Sequence, residues 1–120
     1  MNNQQMLQIS IVNNIPVVSF IGHCKVEGIA DLAAQLQKFA LEGHRRFVFD
    51  YSACRLINSP AMGEILEAVL LIDGDFEGYV VVCGLDSLKE TLFSISGIIP
   101  IAQLAPDVTT ALKLLENIVA

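Results

Sequence analysis

RFVFDYSACRLINSPAMGEIL, residues 46–66, is the stretch whose reading decides the fold. Arg46 to Asp50 has the composition of a buried strand, and a short loop follows. The loop delivers Ser59 to the mouth of a helix. Pro60 suits the first helical position, because its ring pre-sets φ and its missing N–H would have been an orphan there anyway. The residue before a proline is pushed to extended geometry, which is where an N-cap sits. The spacing therefore predicts Ser59 as the N-cap, with its hydroxyl at the positive end of a helix dipole. Such a hydroxyl is either a plain cap or a place to put a phosphate.

Outward from this stretch, composition sets the bounds. The 120 residues suit one domain, 1–120, long enough to bury a core. Hydrophobic residues make up 53% and charged residues 17%, which leaves apolar surface over for a partner. The net charge is −6. Glu64, Glu67, Asp73, Asp75 and Glu77 cluster with no Lys or Arg among them. A nucleic acid or an anionic membrane surface needs a basic face, so the charge argues against both as partners. The uncharged run Thr91 to Pro106 is too short to span a bilayer and holds Gly97 and Pro100. MNNQQ has no basic region followed by an apolar stretch and reads as no signal peptide. Cys24, Cys54 and Cys83 are odd in number and widely spaced, as free thiols of a reducing cytoplasm are.

The chain on either side reads as alternating elements. Leu7 to Val12 alternates like a half-buried strand, Asn13-Asn14 suits a tight hairpin turn, and Ile15 to Ile21 returns. Val26, Ile29, Leu32, Leu36 and Phe39 recur at helical spacing and predict a helix from Val26 to Leu41, stopped by Gly43. The third strand reaches Tyr51. The helix after Ser59 runs to Ile72 and ends at Asp73-Gly74. Tyr79 to Cys83 is a continuous apolar strand of the kind covered on both faces. Asp86 or Ser87 caps a short helix carrying Leu88, Leu92 and Ile95. Ile98 to Ile101 reads as a final short strand, and Pro106-Asp107 opens a last helix. The order is ββαβαβαβα: an α/β fold with about four helices and a mixed, mostly parallel sheet that starts antiparallel. Ala68 to Ile72 is apolar all round, which means deep core or, less commonly, a surface covered by another chain.

Three segments in this order resemble the STAS domain family, the fold of bacterial anti-sigma-factor antagonists and of the cytoplasmic tails of sulphate transporters. They are FIGHCKVEG (20–28), FVFDYSACRLINSPAMGEIL (47–66) and VVVCGLDSLKETLFSISGIIPIAQLAPDVTTAL (80–112). The resemblance covers nearly the whole chain. It implies a regulatory protein in a partner switch, not an enzyme. In the antagonist branch the serine after an aspartate is phosphorylated by a serine kinase of the GHKL ATPase type that doubles as an anti-sigma factor. A phosphatase reverses it. That serine maps onto Ser59, and the unphosphorylated domain binds the kinase.

The implied partner surface is Asn58, Ser59, Pro60, Ala61, Met62 and Gly63, with His23, Cys24 and Lys25 of the first loop alongside. A phosphate adds roughly −1.5 to −2 charges. A helix N-terminus tolerates it, while an interface built on that helix does not. The chain departs from the family pattern at Asn58 and Lys25, where acids are usual, and at Pro60 and Ala61, in place of serine and glycine. These departures keep two other readings open. One is a STAS scaffold that is never phosphorylated, such as an accessory subunit of an ABC-type lipid transporter. The other is a small anion- or nucleotide-binding module with Lys25 as counter-charge. A homodimer is compatible with all three.

The remaining candidates read as structural. Gly63 suits close helix packing, and Met62 suits core or an adaptable contact. Adjacent His23 and Cys24 point opposite ways on a strand, and His44 completes no metal spacing. No metal or cofactor is expected. Cys83 belongs to the core, and Cys54 falls in the loop before Ser59. His44-Arg45-Arg46 complements a helix end. No acid/base or nucleophile constellation is present.

Overall fold

Asn13 and Asn14 both take positive φ, 53° and 65°. That is the geometry of a two-residue hairpin turn whose twist matches its strands. It joins β1 (Leu7–Val12) to β2 (Ile15–Cys24) in antiparallel register, with Leu7 opposite Phe20 and Val12 opposite Ile15. The computed structural model describes residues 6–118. β3 (Arg46–Ile57), β4 (Tyr79–Cys83) and β5 (Gln103–Ala105) follow in parallel, giving a five-stranded sheet in the order β1-β2-β3-β4-β5. The helices are α1 (Leu32–Leu41), α2 (Ser59–Leu70), α3 (Ser87–Ile95), the short α4 (Ile98–Ile101) and α5 (Val108–Glu116).

Alternation along the strands builds two cores. Val18, Phe20, Phe47, Phe49 and Tyr51 face α1, α2 and α3, where Leu36, Ile65 and Phe93 meet them. Val17, Val48, Val81 and Cys83 face the other way, under Ala111, Leu112 and Leu115 of α5. Ile65 is fully buried. A buried aliphatic side chain of this size contributes about 1.5–3 kcal/mol, and cutting it to Ala costs about 2–5 kcal/mol.

Four expectations change. The segment from Val26 to Leu41 is not one helix: Val26–Gly28 is a 3-10 turn, and α1 starts only at Leu32. Gly28 and the β-branched Val26 and Ile29 are poor helix formers, and the buried Ile29 takes an irregular backbone (φ −130°, ψ 20°) to reach the core. Ile98 to Ile101 is a kinked turn in which Ile99 stays extended (φ −98°, ψ 127°), and the strand comes after it at Gln103. Pro100 in its middle argues against a strand on its own. α2 ends at Leu70 and passes into a π-helical turn, Leu71–Asp75. There Ile72 is buried but Leu70 is exposed, so the apolar stretch is core on one side only. Finally, β3 does not stop at Tyr51 but runs to Ile57.

The extra length of β3 carries two irregularities. Its register against β2 skips one extra β3 residue between Ser19/Asp50 and Ile21/Ala53, and another between Gly22/Cys54 and His23/Leu56. The second leaves Arg55 without an opposite residue. Gly22 sits at this point with φ 74°, a conformation that side chains other than glycine's rarely adopt. Bulges bend and re-aim a strand, and this pair steers β3 toward the start of α2.

Candidate functional site

The parallel pairing of β2 and β3 brings the two implied loops together. His23 lies opposite Leu56 and Cys24 opposite Ile57. The ladder closes with the Asn58 N–H donating to the Cys24 carbonyl at 3.0 Å. Lys25 and Ser59 are each one residue beyond that bond, and both are exposed. The structure thus places His23, Cys24 and Lys25 beside Asn58, Ser59 and Pro60 at the carboxyl ends of adjacent strands.

The cap is not the predicted one. Asn58 is the N-cap of α2, extended at φ −84° and ψ 164°, and its Oδ1 accepts the Ala61 N–H at 2.9 Å. Ser59 is the first helical residue and Pro60 the second. The preference for extended geometry before proline is outweighed: Asn58 is an equally good cap, and its backbone is already held extended by Cys24. The Met62 N–H is also taken, by the Asn58 carbonyl at 3.1 Å. Of the first four backbone groups of α2, Pro60 has no donor, and those of Ala61 and Met62 are bound. The Ser59 N–H is the one with no acceptor among the described residues.

Ser59, Pro60 and Gly63 form the exposed side of the helix start, while Ala61 is fully buried and Met62 half-buried against the core. A Cβ on Gly63 would meet nothing within 4 Å, so its expected packing role is not there. Leu56, 56% exposed, adds an apolar side chain that the sequence reading missed. Its signal was masked because the second bulge breaks the alternation that would have exposed it.

The thiols are chemically quiet. Cys54, expected in a loop, is a buried strand residue whose Sγ lies 3.4 Å from the Leu56 carbonyl. Burial raises its pKa, with the Lys89 ammonium opposing. Burial, with a smaller contribution from Cys54, pushes the Cys24 thiol up to about 12. Thiols held protonated are poor nucleophiles. Cys83 is core, as expected, and burial next to Asp50 pushes it up to about 12. Nearby, Asp86 caps α3 by accepting the Lys89 N–H at 2.9 Å and also pairs with the buried Lys89 Nζ at 2.7 Å. Among the described residues no group of three or more His, Cys, Asp or Glu side chains could hold a metal ion, and no helix is long and apolar enough to cross a membrane.

Comparison with solved structures identifies the architecture. SpoIIAA in its unphosphorylated form superposes with a TM-score of 0.76 at 12% identity, covering 93% of this chain and 99% of its own. The chain has the STAS fold. The phosphorylated form of the Bacillus protein gives 0.71 at 14% identity, over 90% and 98% of the two chains. An anti-sigma factor antagonist from Mycobacterium paratuberculosis gives 0.76 at 16%, over 92% and 93%. A Moorella thermoacetica RsbS variant gives 0.78 at 15%, over 92% and 95%. No family model and no curated protein matches the sequence. The STAS fold is therefore preserved at identities too low for sequence matching, as expected when core positions need only hydrophobic residues of suitable volume.

Proposed function

We propose that this chain is a partner-switch protein of the anti-sigma-factor antagonist type. It binds a serine kinase of the GHKL type, itself an anti-sigma factor, through Asn58 to Gly63 and the adjoining His23 to Lys25, and Ser59 is the phosphoacceptor. The observation that carries this reading is the Asn58–Cys24 backbone bond, which sets an exposed serine and an exposed lysine side by side at the head of a helix. Leu56 supplies apolar contact at the same end. Structural likeness to antagonists of both phosphorylation states supports the class.

A phosphate on Ser59 would gain less from α2 than a typical helix start offers, since one backbone donor remains. Lys25 becomes the main counter-charge. The same shortage favours a second reading, a STAS scaffold that is never phosphorylated, such as an accessory subunit of a transporter. It weighs against a free anion or nucleotide seat.

Intact-mass and peptide mass spectrometry on protein from its native host tests the choice. One phosphoryl group localised to Ser59 supports the switch. An unmodified Ser59 under all growth conditions, with a transporter ATPase rather than a kinase co-purifying, overturns it in favour of the scaffold.

A further inference from the structure

We propose that the outer edge of β1 is a dimerisation surface, pairing antiparallel with β1 of a second copy to join two five-stranded sheets into one. β1 ends the sheet, with β2 as its single neighbouring strand among the described residues. Natural edge strands are blunted by charge, proline, bulges or shortness. β1 has none of these: it is six residues long, regular in register, and reads LQISIV. No Asp, Glu, Lys or Arg occurs before Lys25. The opposite edge, β5, is three residues long and is blunted by its shortness.

The occupant follows from symmetry and charge. A two-fold axis perpendicular to the sheet keeps each face on its own side, so opposed residues must share parity. The register centred on Ile9 sets Ile9 against Ile9, Leu7 against Ile11, and Gln8 against Ser10. One face of the new ladder is then wholly apolar and the other neutral and polar, with no like charges opposed. Leu7 and Ile9 already pack against the core beneath α1, but Ile11 is 49% exposed. In the dimer the partner's Leu7 would cover it. Leu7, Gln8, Ile9 and Ser10 of β1 also line a shallow surface groove with Ser19 of β2 and Gln35 of α1.

Sedimentation equilibrium on the full chain tests the proposal, with a concentration-dependent mass reaching twice 13.0 kDa expected. Ile11→Lys, at a position that is exposed in the monomer, should keep the far-UV circular dichroism while returning the mass to that of one chain, and its melting temperature should no longer depend on concentration. Ile9→Cys should give a covalent dimer on mild oxidation, because Ile9 faces its own symmetry mate and the native thiols are buried. A wild-type chain that stays monomeric overturns the proposal. So does a dimer that Ile11→Lys leaves intact.

Discussion

Asn58 Oδ1 accepts the backbone N–H of Ala61 at 2.9 Å, and Ser59, lying between the two, supplies no cap. The structural duty at the head of α2 is thereby separated from Ser59. Asn58→Ala should destabilise the protein by about 1 kcal/mol, the usual cost of losing an N-cap, while Asn58→Asp should not. Ser59→Ala should stay within about 0.5 kcal/mol of wild type. Urea denaturation of the three variants checks the ranking, and a Ser59→Ala variant less stable than Asn58→Ala would refute the assignment.

The same separation makes a clean test of partner switching. Ser59→Glu places a negative charge at the first position of α2, where the helix dipole favours it. The fold should be retained, and partner affinity should fall at least about ten-fold, or ~1.4 kcal/mol. Binding measured by calorimetry against the proposed serine-kinase partner decides the matter. Undiminished affinity would count against an interface centred on Ser59.

Tyr51 stacks on Phe20 with ring centroids 4.3 Å apart and meets Phe93 edge-on at 5.0 Å. Its hydroxyl is buried with no hydrogen-bond partner among the described residues. An unsatisfied buried hydroxyl costs about 1–3 kcal/mol, so Tyr51→Phe should stabilise the protein by about 1 kcal/mol or more. The expected signature is a higher urea midpoint with an unchanged slope. A lower midpoint would show that the hydroxyl is satisfied in solution.

On the alkaline side burial raises Cys54 and Tyr51 as well, and Cys24 and Cys83 are the two thiols pushed up to about 12. Burial is the main cause that moves both from 9.0 in the unfolded chain to about 12 in the folded one. Between these values the folded state binds more protons than the unfolded state, so stability falls as pH rises. Their contribution is intact below pH 9.0 and is lost on the way to about 12. Thermal melts at increasing pH should show this decline, and Cys83→Val should make it shallower. An identical slope in Cys83→Val would remove Cys83 from the account.

Much of the fold is legible in the residues. The alternation of Leu7, Ile9 and Ile11, the Asn13-Asn14 turn and the apolar run at Val80 to Val82 each report one physical requirement directly. The second half of β3 is hidden because two bulges shift its alternation, so Cys54 and Leu56 look like loop residues. The head of α2 is hidden for another reason. Asn58 and Ser59 are comparably good caps, and the choice between them is made by a backbone bond to Cys24, far away in sequence. The strand taken for Ile98 to Ile101 shows β-branched composition overruled by Pro100 and by the anchoring of Ile98 in the core.

The hairpin of β1 and β2 is the sheet's one local pairing, since every parallel neighbour is reached through intervening helical segments. Hairpins close in about 1–10 μs, whereas pairings of distant strands are slow. During synthesis the hairpin is also made before β3, its other partner. There is thus an interval in which both of its long sides are open and uncharged. Nascent chains crowded on one messenger that meet in that interval can pair strand to strand, so the order of strand assembly bears on the yield of folded protein alongside final stability.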